Sequence, residues 1–522
     1  MIKLLFLITM LLLGGVVGIS AEDGGLVSNT ISVNGVNRSY SYFVSTKANS
    51  FNGNWVVFAL HDNGQTAQQF AEQSGWIKVA EKNSFAVVFP QAVNNTWSPN
   101  SGSEDAYIKA VFEHARTNLI SRYAGDNAPP VGGLPAGSGG NNPIWAWEPL
   151  RDLTGSGAGA TVAQEFAMNH PGLFAAVATL NGVAFDAAYA KGNEPSQAYF
   201  QYMRAKNIEP VWKQLKKEVP VTVWMFSNGA ANAAQEKQSE YWKKSAAVGT
   251  TPIKRKTNGF DTTVYQNATN TAQQFRFTQI SSETKYDETM SSAIWDDLFC
   301  HVARWTSAPN GDLVSVMTEA EVGKNFEVRT IDIGDGKVPY TYYLKLPSSY
   351  KPGQKLPLVL VTHGANENAW LFTSKIKMQE VGEKEGFITV YPNGRKNRWE
   401  SNNPDGPDAK FLEMMIKEVV NKYGADASRV YMMGFSNGSA MTHMMGLTHP
   451  QLFAATSPTN GAGTLQKPVQ ERVEQVKAKF DYRLPVMAVY GNVDSGSTTD
   501  GLIPAVSSIR DGINAIKKYN SL

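Results

Sequence analysis

Short apolar runs alternate with longer segments of helical period along this chain, and the same succession occurs twice. "NWVVFALHDNG" is a strand-length apolar run leading into His61. "LPLVLVTHGAN" is its counterpart, leading into His363, 302 positions later. The same offset pairs Phe85 with Phe387, Pro90 with Pro392 and Trp97 with Trp399. "EKNSFAVVFPQ" and "EKEGFITVYPN" therefore predict the same elements: a helix end, a buried strand and a proline-stopped loop. "EDAYIKAVFEHARTNLISRY" and "PDAKFLEMMIKEVVNKY" follow as matching amphipathic helices. Strands alternating with helices at this spacing predict an α/β class with mainly parallel sheets. Repetition over so long a period predicts a tandem duplication.

The two predicted units are 26–307 and 326–522, joined by a polar linker, 308–325, "APNGDLVSVMTEAEVGKN". The first unit carries an extra Gly/Pro/Asn stretch, "DNAPPVGGLPAGSGGNNP", which reads as loop and leads into "IWAWEPL". Trp145 and Trp147 there read either as an exposed aromatic surface for sugars or as pins holding the loop to the core. The N-terminal "MIKLLFLITMLLLGGVVGISAEDGG" has a lysine, an apolar run and then small residues, the layout of a signal peptide over 1–21. The competing reading is an uncleaved membrane anchor; the apolar run from Leu4 to Ile19 is short for a bilayer span, which favours cleavage, and no membrane association is expected after it.

Bulk composition narrows the function classes. A chain of 522 residues predicts two or three domains, and 42% hydrophobic with 18% charged residues is the balance of a soluble globular protein. The 48 basic and 46 acidic residues nearly cancel, without a Lys/Arg tract, which argues against a nucleic-acid partner. Cys300 is the only cysteine, so no intramolecular disulfide is expected, a pattern suited to a bacterial exoprotein. Within "DDLFCHVARW" it reads as a core residue of an apolar-periodic helix. The adjacent His301 has no further ligands at metal spacing, and neither a metal nor a cofactor is expected.

The candidate chemistry lies in two related windows. "LTGSGAGATVAQEFAMNHPGLFAA" spans Leu153 to Ala176, and "MMGFSNGSAMTHMMGLTHPQLFAA" spans Met432 to Ala455, 279 positions later. Both continue to an Asn-Gly pair, Asn181-Gly182 and Asn460-Gly461. The second window is a strand, a G-x-S-x-G turn and a helix. Gly434 and Gly438 allow a turn sharp enough to expose Ser436, and the helix directs its first amides at an oxyanion formed there. Ala365 N–H, from "VTHGAN", and Asn437 N–H are the expected oxyanion donors. His363 reads as a structural residue of that loop. The acid is expected after a buried strand, Pro485 to Tyr490. Asp494 is favoured for its closeness to the strand end, Asp500 is its rival, and either also reads as a turn aspartate.

On these residues the chain resembles the secreted esterases grouped with polyhydroxybutyrate depolymerases, feruloyl esterases and acetylxylan esterases, the carbohydrate esterase family 1 type. "VTHGAN", "FITVYPNG", "GFSNGSAM…HPQLFAA" and "YGNVD" carry the likeness, over most of the second unit and more faintly over the first. The resemblance implies two α/β-hydrolase units, ester hydrolysis by a Ser-Asp-His triad, Ser436 as nucleophile and Asp494 as acid. The implied partner is an ester-bearing polymer or small ester of the feruloyl, acetyl or hydroxyalkanoate class.

It also implies a histidine some tens of residues after the acid. Only 28 residues follow Asp494, none of them histidine, so the second unit reads as truncated at its C-terminus. His443 and His449 lie on or beyond the helix that follows Ser436, turned away from it. In the first unit Gly157 stands at the nucleophile position, Gly229 at the acid position, and "HDNG" replaces "HGAN". That unit reads as a fold kept without its chemistry, either holding substrate or packing against the second. The contrasting reading of the whole chain is a non-catalytic polymer-binding protein.

Overall fold

A computed structural model describes residues 25–46, 55–123, 150–196, 214–305, 312–365, 367–395, 398–461, 467–479, 483–490 and short pieces between 499 and 520. The segment 1–21, Trp145, Trp147 and Asp494 lie outside the described residues.

The first sheet is built from Val27–Val33 (β1), Val36–Val44 (β2), Val56–Leu60 (β3), Ala86–Pro90 (β4), Arg151–Ser156 (β5), Ala176–Leu180 (β6), Thr222–Asn228 (β7), Ile253–Thr257 (β8), Phe260–Gln266 (β9) and Gln274–Ile280 (β10). Its order is β1-β2-β4-β3-β5-β6-β7-β10-β9-β8. Strands β3 (VVFAL) and β4 (AVVFP) are buried at every position, as expected of parallel strands covered on both faces. Val302–Trp305 (β11) pairs antiparallel with Asp312–Ser315 (β12). The second large sheet comprises Glu327–Ile331 (β13), Tyr340–Lys345 (β14), Leu358–Thr362 (β15), Ile388–Pro392 (β16), Val430–Phe435 (β17) and Ala455–Thr459 (β18), in the order β13-β14-β16-β15-β17-β18.

The second order repeats the first six strands of the larger sheet, down to register. Leu60 of β3 lies opposite Gly155 of β5, and Thr362 of β15 lies opposite Gly434 of β17. Parallel strands require crossovers, and the helices Gly157–Asn169 and Asn437–Thr448 supply the matching ones. Both are buried over nearly their whole length.

Two local expectations change in three dimensions. Much of the segment read as a polar linker is structured: β12 extends a hairpin, and Glu319–Asn325 is a helix opened by a Thr318/Glu321 capping box. Among its apolar residues Leu313, Val316 and Val322 are buried, and Val314 and Met317 are partly buried against the same core, a role that average composition hides. The Pro485–Tyr490 strand, expected to be buried, lies parallel to β18 through bridges at Thr456–Val486 and Thr459–Val489, with Met487 66% and Val489 45% exposed. Its first-unit counterpart, β7, is buried because β10 pairs along its far side. No described strand covers 485–490 in that way.

The two large sheets share one apolar cluster. Trp55 stacks on Trp370 with ring centroids 5.6 Å apart and meets Trp295 edge-on at 5.7 Å. Phe326, Tyr343 and Tyr391 extend the cluster from the second side. Cys300 is buried in it, on a 3-10 turn, Phe299–His301, beyond the end of the helix Glu288–Asp297. Burial pushes its thiol far above the usual range, consistent with a packing residue. Among the described residues no helix is long and apolar enough to cross a membrane.

Candidate active site

Ser436 stands at the turn between β17 and the helix Asn437–Thr448, with φ 51° and ψ −114°. A positive φ on a residue with a side chain is strained and persists only where its surroundings enforce it. Ser436 N–H donates to Thr459 O at 3.0 Å, and Ala440 N–H donates to Ser436 O at 3.1 Å. A Cβ on Gly438 would strike the carbonyls of Thr362 and His363, and one on Gly434 would strike Thr362 Oγ1 and the Gly438 backbone. The two glycines therefore seat the helix N-terminus directly on the end of β15. Ser436 is half-buried.

The loop after β15 is held by His363. This buried ring sits 2.7 Å from Gly364 O through Nδ1 and accepts Gly394 N–H at Nε2, 3.0 Å, which places the proton of the neutral ring on Nδ1. Burial lowers its pKa to about 4. Trp399 Nε1–H donates to His363 O at 3.0 Å, and Trp399 N–H donates to Asn437 Oδ1 at 2.5 Å. Trp399 and Trp370 are core residues, 2% and 3% exposed. The buried Glu367 carboxylate accepts Gly364 N–H at 2.6 Å and pairs with Lys375.

That arrangement leaves Ala365 N–H without an acceptor among the described residues. Asn437 N–H, the first of its helix, has no intrahelical acceptor. The first unit shows where two such amides point. There Asn63 N–H (2.7 Å) and Ala158 N–H (2.9 Å) both donate to Asp62 Oδ1. Asn63 and Ala158 correspond to Ala365 and Asn437 by the same offsets and register. The supporting contacts also match: His61 lies 2.6 Å from Asp62 O and accepts Ala92 N–H, and Trp97 donates to His61 O. The His–Trp ring centroids are 5.1 Å apart in both units. Gly364 takes the place of Asp62, so the corresponding spot in the second unit lacks that carboxylate.

No hydrogen bond reaches Ser436 Oγ among the described residues. His443 contacts the Tyr490 hydroxyl at 2.8 Å, and His449 contacts Thr448. His61 and His363 hold their loops, His114 meets Tyr40, His170 meets Asp105, and His301 meets Asp296 O. Asp500 is placed only through its pairing with Ile503 in the hairpin Thr499–Asp500 (β19) and Ile503–Pro504 (β20). Among the described residues no group of three His, Cys, Asp or Glu side chains is arranged to hold a metal.

The histidines carry a pH prediction. Burial lowers His363 and His443 each to about 4, against about 6.5 when unfolded. Below pH 6.5 the unfolded chain takes up protons that the native chain refuses. Their contribution is therefore complete above about pH 6.5 and lost as pH falls toward 4, about 3 kcal/mol for each. Urea unfolding at pH 7.5 and pH 5 is expected to show the lower stability at pH 5. His443→Gln is expected to flatten that dependence, and an unchanged slope would count against the assignment.

The mainly parallel sheets and the strained strand–turn–helix at Ser436 are features of an α/β-hydrolase fold. Residues 339–468 match the family model described as "Esterase PHB depolymerase", a span that includes Ala365, Gly434, Ser436, Asn437 and Gly438. In this region the chain is similar to the polyhydroxybutyrate depolymerase, feruloyl esterase and acetylxylan esterase type. It is 33% identical over 119 residues to feruloyl esterase B of Neurospora crassa, covering 21% of this chain and 41% of that protein. It is 26% identical over 174 residues to the probable acetylxylan esterase A of Neosartorya fischeri, covering 31% and 45%. A solved acetyl xylan esterase from Aspergillus awamori aligns at 25% identity and a TM-score of 0.24, over 26% of this chain and 52% of that one. The chain thus spans less than half the length of the two curated relatives. Both curated relatives come from fungi and lend no support to a bacterial origin.

Sequence reasoning anticipated the strand–turn–helix at Ser436 but not the side chains that fold back onto the neighbouring loops. These are Asp62 and Glu367, the latter paired with Lys375. The signal was the exchange of "HDNG" for "HGAN", whose meaning depends on where the aspartate folds back.

Proposed function

We propose that this chain is a secreted serine carboxylic-ester hydrolase whose chemistry resides in the second unit. The observation that carries the reading is Ser436, held at positive φ at the start of the helix Asn437–Thr448. The match of Ala365 to Asn63, whose amide meets the same Asp62 oxygen as Ala158, supports the Ala365 and Asn437 amides as its oxyanion donors. Ser436 Oγ attacks the ester carbonyl and forms a tetrahedral intermediate. Its oxyanion accepts both amides, each contributing about 3 kcal/mol in comparable sites. A histidine other than the seven placed here takes the serine proton and passes it to the leaving alcohol, with Asp494 orienting that ring. Water then releases the acyl group. The mechanism calls for neither metal nor cofactor. The names of the relatives support feruloyl or acetyl esters as substrates, and the family description supports hydroxyalkanoate esters, all borne on a polymer.

The first unit, in this reading, is a duplicated copy without catalysis. Gly157 keeps the positive φ of the elbow (54°) without a hydroxyl, and Gly229 offers no carboxylate after β7. The rival reading, a non-catalytic polymer-binding protein, draws on the engagement of every histidine away from Ser436.

A fluorophosphonate probe separates the two readings. Labelling that maps to Ser436 in the purified chain, and is lost in Ser436→Ala, supports the hydrolase. Absence of labelling means that no base reaches Ser436 in these 522 residues, and it supports the binding protein when a chain carrying a further histidine also fails to label. Ala365→Pro, which deletes one amide hydrogen, is expected to lower kcat for an aryl acetate by about 100-fold to 1000-fold with little change in KM.

A further inference from the structure

The first unit's vacant nucleophile position is not an empty cleft. The Asp62 carboxylate lies over it, half-buried, with Oδ1 accepting Asn63 N–H at 2.7 Å and Ala158 N–H at 2.9 Å. These are the counterparts of the two oxyanion donors of the second unit. A planar carboxylate oxygen in that position has the charge and the donors of a developing oxyanion. Any Cβ at Gly157 would collide with Asp62 Oδ1, Oδ2 and Cγ, and with no nearer atom. A serine there and an aspartate at 62 therefore exclude one another. The second unit satisfies the same exclusion in the opposite sense, with Ser436 and Gly364.

We propose that Asp62 is a built-in oxyanion mimic whose carboxylate fills the first unit's two-amide pocket and closes that cleft to esters and free carboxylates. The proposal deepens the reading of the first unit as non-catalytic, and it accounts for loss of the serine hydroxyl and gain of the aspartate as one coupled change. Removing the carboxylate uncovers a pocket with two donors at a helix N-terminus, suited to a small carboxylate.

Two measurements on the full chain test this. Asp62→Ala is expected to lower the melting temperature by about 3 °C, through loss of two charge-assisted hydrogen bonds. Millimolar formate or acetate is expected to restore it, while chloride at equal ionic strength does not and the wild type stays insensitive. A variant that melts like the wild type, or that responds equally to every anion, overturns the proposal. The second measurement is a double-mutant cycle. Gly157→Ala is expected to lower the melting temperature more in the wild type than in Asp62→Ala, because the carboxylate is what the new methyl strikes. Equal shifts in the two backgrounds overturn it. Neither measurement involves Ser436 or ester turnover, so failure here is distinguishable from failure of the hydrolase reading.

Discussion

Replacing Ser436 with glycine is expected to reduce kcat/KM for an aryl acetate by about 10⁴-fold or more while leaving the protein slightly more stable. The loss follows from the proposed role of Ser436 as nucleophile, which neither the amides nor binding can replace. The gain follows from backbone strain. Ser436 sits at φ 51°, ψ −114°, which costs a residue with a side chain about 1–3 kcal/mol, and glycine relaxes most of that. A purely structural serine would show the stability change without the kinetic one. The substitution also reproduces in the second unit what the first unit already has at Gly157. Ester hydrolysis that survives Ser436→Gly would place the nucleophile elsewhere.

The second large effect is expected at the junction of the two sheets. Trp55 is buried between Trp370 and Trp295, and its indole N–H donates to Phe299 O at 3.0 Å. Trp55→Ala removes the stack, leaves a cavity and orphans that carbonyl, at a cost of about 3–5 kcal/mol. Because Trp370 lies in the helix Ala369–Ile376, just after the loop bearing Ala365, the damage is expected to reach the second unit. Calorimetry of the wild type is expected to show one coupled transition, and of the variant two separated ones. Fluorophosphonate reactivity of Ser436 is expected to fall at a temperature where the wild type still reacts. If the wild type already melts in two steps unaffected by Trp55→Ala, the first unit does not brace the second through this cluster.

Much of this protein was determined by periodicity and local chemistry. Apolar runs such as VVFAL and AVVFP are buried at every position, so the sequence alone marks them as strands covered on both sides. Spacings of 302 and 279 residues carry over into sheets with matching order and register. Gly434, Ser436 and Gly438 are legible because only a strand, a tight turn and a helix accommodate that pattern. His363 reads correctly as structural, since both its nitrogens are engaged within its own loop region.

Tertiary structure decided what depends on neighbours distant in sequence. The apolar run 485–490 looks like β7, but burial of a strand is set by what pairs on its far side, and Met487 stands exposed. The 308–325 segment is polar on average, yet three apolar residues dock on a core supplied by other segments. The partnership of Trp55 with Trp370 joins residues 315 positions apart that no local pattern links. The occupancy of the two loop–helix junctions rests on side chains folding back: Asp62 onto two amides in one unit, Glu367 onto Gly364 N–H in the other. Sequence specifies backbone shape through short-range sterics and periodic burial. Whether a site formed by that backbone is open or occupied is set by contacts between atoms that only the folded chain brings together.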